Sequence, residues 1–117
     1  MSADLERALD RISRVRGVRG SMFVAADDGL VVAELLMEGV NGRAVAALAA
    51  SLARKAGGAS GAMGAGRVRF VQMAADGGTL LLAPAPQDLL VVALTEPHVN
   101  VGLCRIEMIR AAEAAPR

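Results

Sequence analysis

The chain has 117 residues, 54% hydrophobic, 21% charged and 2% aromatic, and its 13 basic and 12 acidic side chains leave a net charge of +1. A chain of this length buries roughly two-thirds of the surface it exposes when unfolded, enough for one core without metal or disulfide, so residues 1–117 are expected to form a single domain. Near-neutral charge and the absence of Trp and Tyr argue against a nucleic-acid binder, no apolar run approaches the roughly 20 residues of a membrane span, and an N-terminus carrying Asp4, Glu6 and Asp10 lacks a signal peptide's apolar stretch, so a cytoplasmic location is expected.

Ser2 or Asp4 can cap a first helix in which Leu5, Leu9, Ile12 and Val15 recur at helical spacing opposite Arg11 and Arg14, with Gly17 as its stop. Two strand-length apolar runs follow, Ser21 to Ala26 and Leu30 to Met37, separated by Asp27-Asp28-Gly29, a hairpin turn signal. Asn41 can cap a long second helix with Val45, Leu48, Ala49, Leu52 and Ala56 as its core stripe. Ala46, Ala47, Ala50 and Ala53 make an adjacent small-residue face, suited either to close helix approach or simply to helix formation. That helix is expected to fray or end in the glycine-rich stretch Gly57 to Gly66, because each Gly costs about 1 kcal/mol relative to Ala.

Residues Arg67 to Ala75 alternate as a third strand, with Val68, Phe70, Gln72 and Ala74 on one side and Arg67, Arg69, Val71 and Met73 on the other. Asp76-Gly77-Gly78 is a second hairpin turn, Thr79 to Ala83 a fourth strand stopped by Pro84 and Pro86, and Gln87 to Thr95 a fifth. The apolar run Leu89 to Leu94 suits a central position in the sheet. Asn100 caps a last helix with Val101, Cys104 (or Leu103), Ile106, Met108, Ile109 and Ala112 inward and Arg105, Glu107, Arg110 and Glu113 outward. The order α-ββ-α-βββ-α is an α+β arrangement with a five-stranded antiparallel sheet packed by helices.

Few residues suggest chemistry. The Gly57 to Gly66 glycines follow a helix and precede a strand, the reverse of a phosphate loop, and no Gly-Lys-Ser/Thr follows. His98 is the only histidine and has no converging nucleophile, and Cys104 falls in an apolar helical pattern where a thiol behaves as a small hydrophobe. Asp27, Asp28 and Asp76 precede glycines in turns, and Arg7, Arg11, Arg14, Arg16 and Arg19 are interspersed with acids as on a solvated helix face. No catalytic residue, metal or cofactor is therefore expected. An apolar edge strand, by contrast, invites pairing with a second copy.

The opening helix running into Val18-Arg19-Gly20, the hairpin Ala26 to Ala33, the helix Ala44 to Ala56, the strand Arg67 to Met73, Leu80 to Pro84, Leu89 to Leu94 and Asn100-Val101-Gly102-Leu103 together resemble the Roadblock/dynein light chain family, in its prokaryotic branch. The resemblance implies a Roadblock-like (profilin-like) sandwich that dimerises by antiparallel pairing of the third strands, with the second helices side by side. It implies a non-enzymatic platform that binds and regulates a Ras-like small GTPase, in some members by stimulating hydrolysis. The implied dimer positions are Arg67, Arg69, Val71 and Met73 on the third strand and Ala46, Ala50, Ala53 and Arg54 on the second helix. Ala47, Ser51 and Lys55 are the implied partner-binding positions. The alternative reading is a small-molecule-sensing or general scaffolding domain, because fold alone does not settle function.

Overall fold

The computed structural model describes residues 3–115. Its elements, in chain order, are α1 (Ala3–Ser13), β1 (Val18–Ala25), β2 (Val31–Leu36), α2 (Gly42–Ala62), β3 (Val71–Ala75), β4 (Gly78–Ala85), β5 (Leu89–Thr95) and α3 (Val101–Ala114). The strands form one antiparallel sheet in the order β2-β1-β5-β4-β3. The expected order and fold class are those of the structure, with the apolar β5 at the centre of the sheet.

Alternation along the strands builds two cores. Phe23, Ala33, Leu81, Ala83, Val91 and Ala93 face one way, onto α1 and α3, which supply Leu5, Leu9, Ile12, Cys104, Met108 and Ala111. Met22, Val24, Leu82, Leu90 and Val92 face the other way, onto Ala46, Ala49 and Ala50 of α2. The sheet is thus the middle of three layers, and β5 is buried on both faces because every second side chain enters a different core.

Several local expectations change. Ser2, one candidate cap of α1, lies outside the described residues; Asp4, the other, sits inside the first turn and pairs with Arg7, while Arg14 pairs with Asp10 at 2.6 Å. The helix ends at Ser13, short of Gly17. On α2 the buried face is Gly42, Ala46, Ala49 and Ala50, and Leu48 is 70% exposed. The bulky side chains come from the sheet, so small residues on the helix let it lie close; of the expected stripe Ala49 is buried, Val45 and Leu52 pack at the edge of the core, and Leu48 is turned away.

The same happens on α3, where Cys104, Met108 and Ala111 are buried and Leu103, Ile106 and Ile109 are exposed. Cys104, not Leu103, is the inward residue, whereas Ile106 and Ile109 are not inward. Glu107, expected outward, is half-buried beside Arg110. β4 continues through Pro84, which pairs with Leu90. The β3–β4 ladder stops at Val71↔Leu82, so Pro84 lies where β4 has a neighbour on one side only and a missing N–H is tolerated.

The second helix runs through Gly57, Gly58 and Gly61 and ends inside the glycine-rich stretch, with Met63 as its C-cap and Gly64 at φ +68°. A Cβ added at Gly57, Gly58 or Gly61 meets nothing within 4 Å. Replacing all three by Ala is therefore expected to stabilise the protein by about 1–3 kcal/mol, through helix propensity and a less flexible unfolded chain. A melting temperature that stays the same or falls in the triple variant would contradict this.

Candidate functional site

The feature that stands out is an unfinished side of the sheet. β3 pairs only with β4 among the described residues, so its outer N–H and C=O groups have no strand partner. Beside it, on the α2 side of the sheet, Met73, Leu80, Leu94 and Val40 line a shallow, mainly apolar groove of about 290 Å³ that also contains Arg19. On that face α2 lies chiefly over β2, β1 and β5, with Leu82 of β4 reaching its alanines, and leaves Met73 largely uncovered. Met73 is 46% exposed in consequence.

Of the residues implied as dimer positions, Val71 and Met73 lie on β3, Val71 packing partly against the α2-side core. Arg67 and Arg69 are exposed but precede the strand, which begins at Val71: the alternation of residues 67–70 suits extended chain, yet the ladder with β4 does not reach them. Ala46 and Ala50 are 0% and 1% exposed within the protomer. They pack under α2 against its own sheet, so their side chains are not available to a partner. Ala53 is half-buried at the edge of that core.

Arg54 has a task inside the protomer, its Nη1 donating to the carbonyl oxygens of Ala26 at 3.1 Å and Asp27 at 3.4 Å. These bonds tie α2 to the tip of the first hairpin. Of the implied partner-binding residues, Ala47 and Lys55 are exposed and Ser51 is half-buried, all along the outer side of α2. Leu48 lies between them and is the residue sequence reasoning missed, because its apolar character assigned it to the core.

The remaining chemical candidates stay apart. His98 is exposed in the connection from β5 to α3, and Asp27, Asp28 and Asp76 are exposed in hairpin turns, where Asp28 Oδ1 accepts from the Leu30 N–H at 3.1 Å. Burial pushes the Cys104 thiol up, which holds it protonated and makes it a poor nucleophile. No group of three or more His, Cys, Asp or Glu among the described residues is placed to hold a metal ion, and no helix is long and apolar enough to cross a membrane.

The domain is a three-layer α/β/α arrangement whose sheet ends in two edge strands, β2 and β3, each paired on one side only among the described residues. Residues 4–95 match the Roadblock/LC7 domain family, and the chain belongs to it. An uncharacterized protein of Methanocaldococcus jannaschii is 36% identical over 109 residues, covering 93% of this chain and 94% of that one. Among solved structures, a Roadblock/LC7 domain from Streptomyces avermitilis superposes with a TM-score of 0.85 at 22% identity, covering 96% of this chain and 94% of that one. The gliding protein MglB from Thermus thermophilus does so with a TM-score of 0.82 at 21% identity, covering 97% and 89%. At these identities the solved structures share the fold.

Proposed function

We propose that the protein is a non-enzymatic, cytoplasmic homodimeric platform that binds and regulates a Ras-like small GTPase. The observation that carries this reading is the unpaired β3 edge lying beside an uncovered apolar groove. Antiparallel pairing of two β3 strands satisfies both rows of free backbone groups and extends one sheet into the other. An apolar segment of the second copy then covers Met73, Leu80 and Leu94. A twofold axis makes the contact self-complementary, which closes the assembly at two chains for that edge.

The dimer surface on this reading is Val71 and Met73, flanked by Arg67, Arg69 and Ala53. The outer face of α2, with Ala47, Leu48, Ser51 and Lys55, is the surface offered to the GTPase. Membership of the Roadblock/LC7 family supports the assignment, as does the likeness to a gliding protein. Any stimulation of GTP hydrolysis takes place on the GTPase, this chain acting in trans by positioning the partner's own groups.

The test is solution mass by light scattering over a dilution series. Wild type is expected at about twice the 12.0 kDa chain mass, and Val71→Asp, which places a charge on the paired strand, at the single-chain mass. Binding of a Ras-like GTPase to the wild-type dimer and not to the Val71→Asp monomer completes the result. A wild-type monomer at every concentration overturns the reading and leaves the apolar groove to a small ligand.

A further inference from the structure

We propose that the cleft between α3 and the residues leading into β3 binds a small, multiply charged, phosphate-bearing anion. The cleft measures about 390 Å³ and is lined by Arg67, Val68, Arg69, Pro84, Arg105 and Ile109. Three guanidinium groups share it and no acidic side chain does. The ion pairs of the described arginines are those of Arg7, Arg14 and Arg110, so Arg67, Arg69 and Arg105 line the same cleft without an ion-pair partner. In a chain of net charge +1 this is a local excess of cations, and such groups repel until an anion joins them.

The geometry is set before a ligand arrives. The Arg105 guanidinium lies over the Phe70 ring, 5.1 Å from its centroid, and Phe70 is itself packed against the core beneath α1 and α3. A cation–π contact of this kind uses the positive charge over the ring and consumes none of the guanidinium's N–H donors, which stay available to phosphoryl oxygens. Arg67, at a bend, and Arg69 stand just before β3, beside the half-buried Val68 and Phe70.

The adjoining smaller cavity, of about 160 Å³, shares Arg69, Pro84 and Ile109 but carries Glu113. Its carboxylate repels an anion and confines the ligand to the Arg67–Arg105 side. The volume falls at the lower end of small-ligand sites, roughly 300–1,000 Å³, and the walls are concave, which favours a compact anion over an extended polymer. Val68 and Ile109 offer an apolar wall within reach of a nucleoside base, so free phosphates and phosphates carried on a nucleoside are the two sources the experiment separates.

The experiment titrates inorganic triphosphate and guanosine triphosphate, each without magnesium, into wild type, Arg105→Gln and Arg14→Gln, followed by calorimetry at two salt concentrations. Wild type is expected to bind saturably, with a Kd below about 1 mM that rises with salt. Arg105→Gln is expected to weaken binding about tenfold with an unchanged melting curve, because it loses charge-assisted hydrogen bonds. Arg14→Gln on α1 binds as wild type does. Tighter binding of the nucleoside form supports the site with a base on Val68 and Ile109, and equal affinities support it as a reader of phosphate alone. No saturable binding at millimolar ligand overturns the proposal, as does equal weakening by Arg14→Gln. Binding of a polyglutamate peptide where triphosphate fails also overturns it, in favour of an acidic peptide partner.

Discussion

Phe23→Ala is expected to lower the stability of the folded chain by about 3–5 kcal/mol. Phe23 is fully buried in the middle of β1, opposite Ala33 on β2 and Val91 on β5, with its ring in the core under α1 and α3. Truncation removes the ring's transfer free energy and leaves a cavity whose walls cannot easily move in. The backbone is held by ladders on both sides, and the neighbours Ala33 and Ala93 are too small to fill the space. Against a total stability of about 5–15 kcal/mol, such a loss approaches unfolding. With no Trp or Tyr to report, the measurement is urea unfolding followed by far-ultraviolet circular dichroism. Chain concentration must be fixed, because association stabilises by mass action. A loss under about 1 kcal/mol would show that α1 and α3 can collapse onto the sheet, contrary to the packing described.

Gly29→Val is expected to cost about 3 kcal/mol or more, by two separate mechanisms. Gly29 closes the first hairpin at φ +72°, where a β-branched residue is strongly disfavoured. A Cβ there would also lie 2.8 Å from the Ala47 Cα, which is backbone of α2 and cannot rotate aside. The turn has little freedom to adapt. Gly29 donates to the Ala25 carbonyl and Ala25 to the Leu30 carbonyl, both at 2.9 Å, and Arg54 ties the tip to α2. Relief therefore requires α2 to lift from the sheet, which opens the Ala46, Ala49 and Ala50 contact. Denaturant unfolding measures the cost, with Gly29→Ala as the milder control. Equal stability of wild type and Gly29→Val would mean that hairpin and helix are not in the contact described.

The elements were legible because their signals are local. Asp27-Asp28-Gly29 and Asp76-Gly77-Gly78 mark turns by backbone requirement, Asn41 and Asn100 cap α2 and α3 through their side chains, at 3.2 and 3.0 Å, and the run Leu89 to Leu94 marks a strand covered on both faces. What the sequence hid is the rotation of two helices. Periodicity identifies a buried face only when apolar and polar residues separate cleanly, and on α2 and α3 apolar residues extend well beyond the buried face. Volume then decides: Ala46, Ala49 and Ala50 face a bulky sheet, and Leu48 is left outside. On α3 the choice of Cys104, Met108 and Ala111 over Ile106 and Ile109 follows from the position of α1, which no local pattern records. The approach of Arg105 to Arg67 and Arg69 is likewise a tertiary fact. The end of the β3 ladder at Val71↔Leu82 depends on two strands at once, so alternation carried the strand four residues too far towards the N-terminus, to Arg67.

The position of β5 between β1 and β4 also dictates the order in which the fold can be completed as the chain is made. The meander β3-β4-β5 closes through short turns and can zip up by itself, whereas β1 must wait for the last strand to be synthesised before its inner edge is paired, as in Ala25↔Leu89. Closing so large a loop is entropically expensive and slow. On the ribosome, the inner edge of β1 therefore stands unpaired, and Phe23 without α3 above it, until residues near the C-terminus emerge, and this interval is when a nascent chain is most open to chaperones and to mispairing with its neighbours.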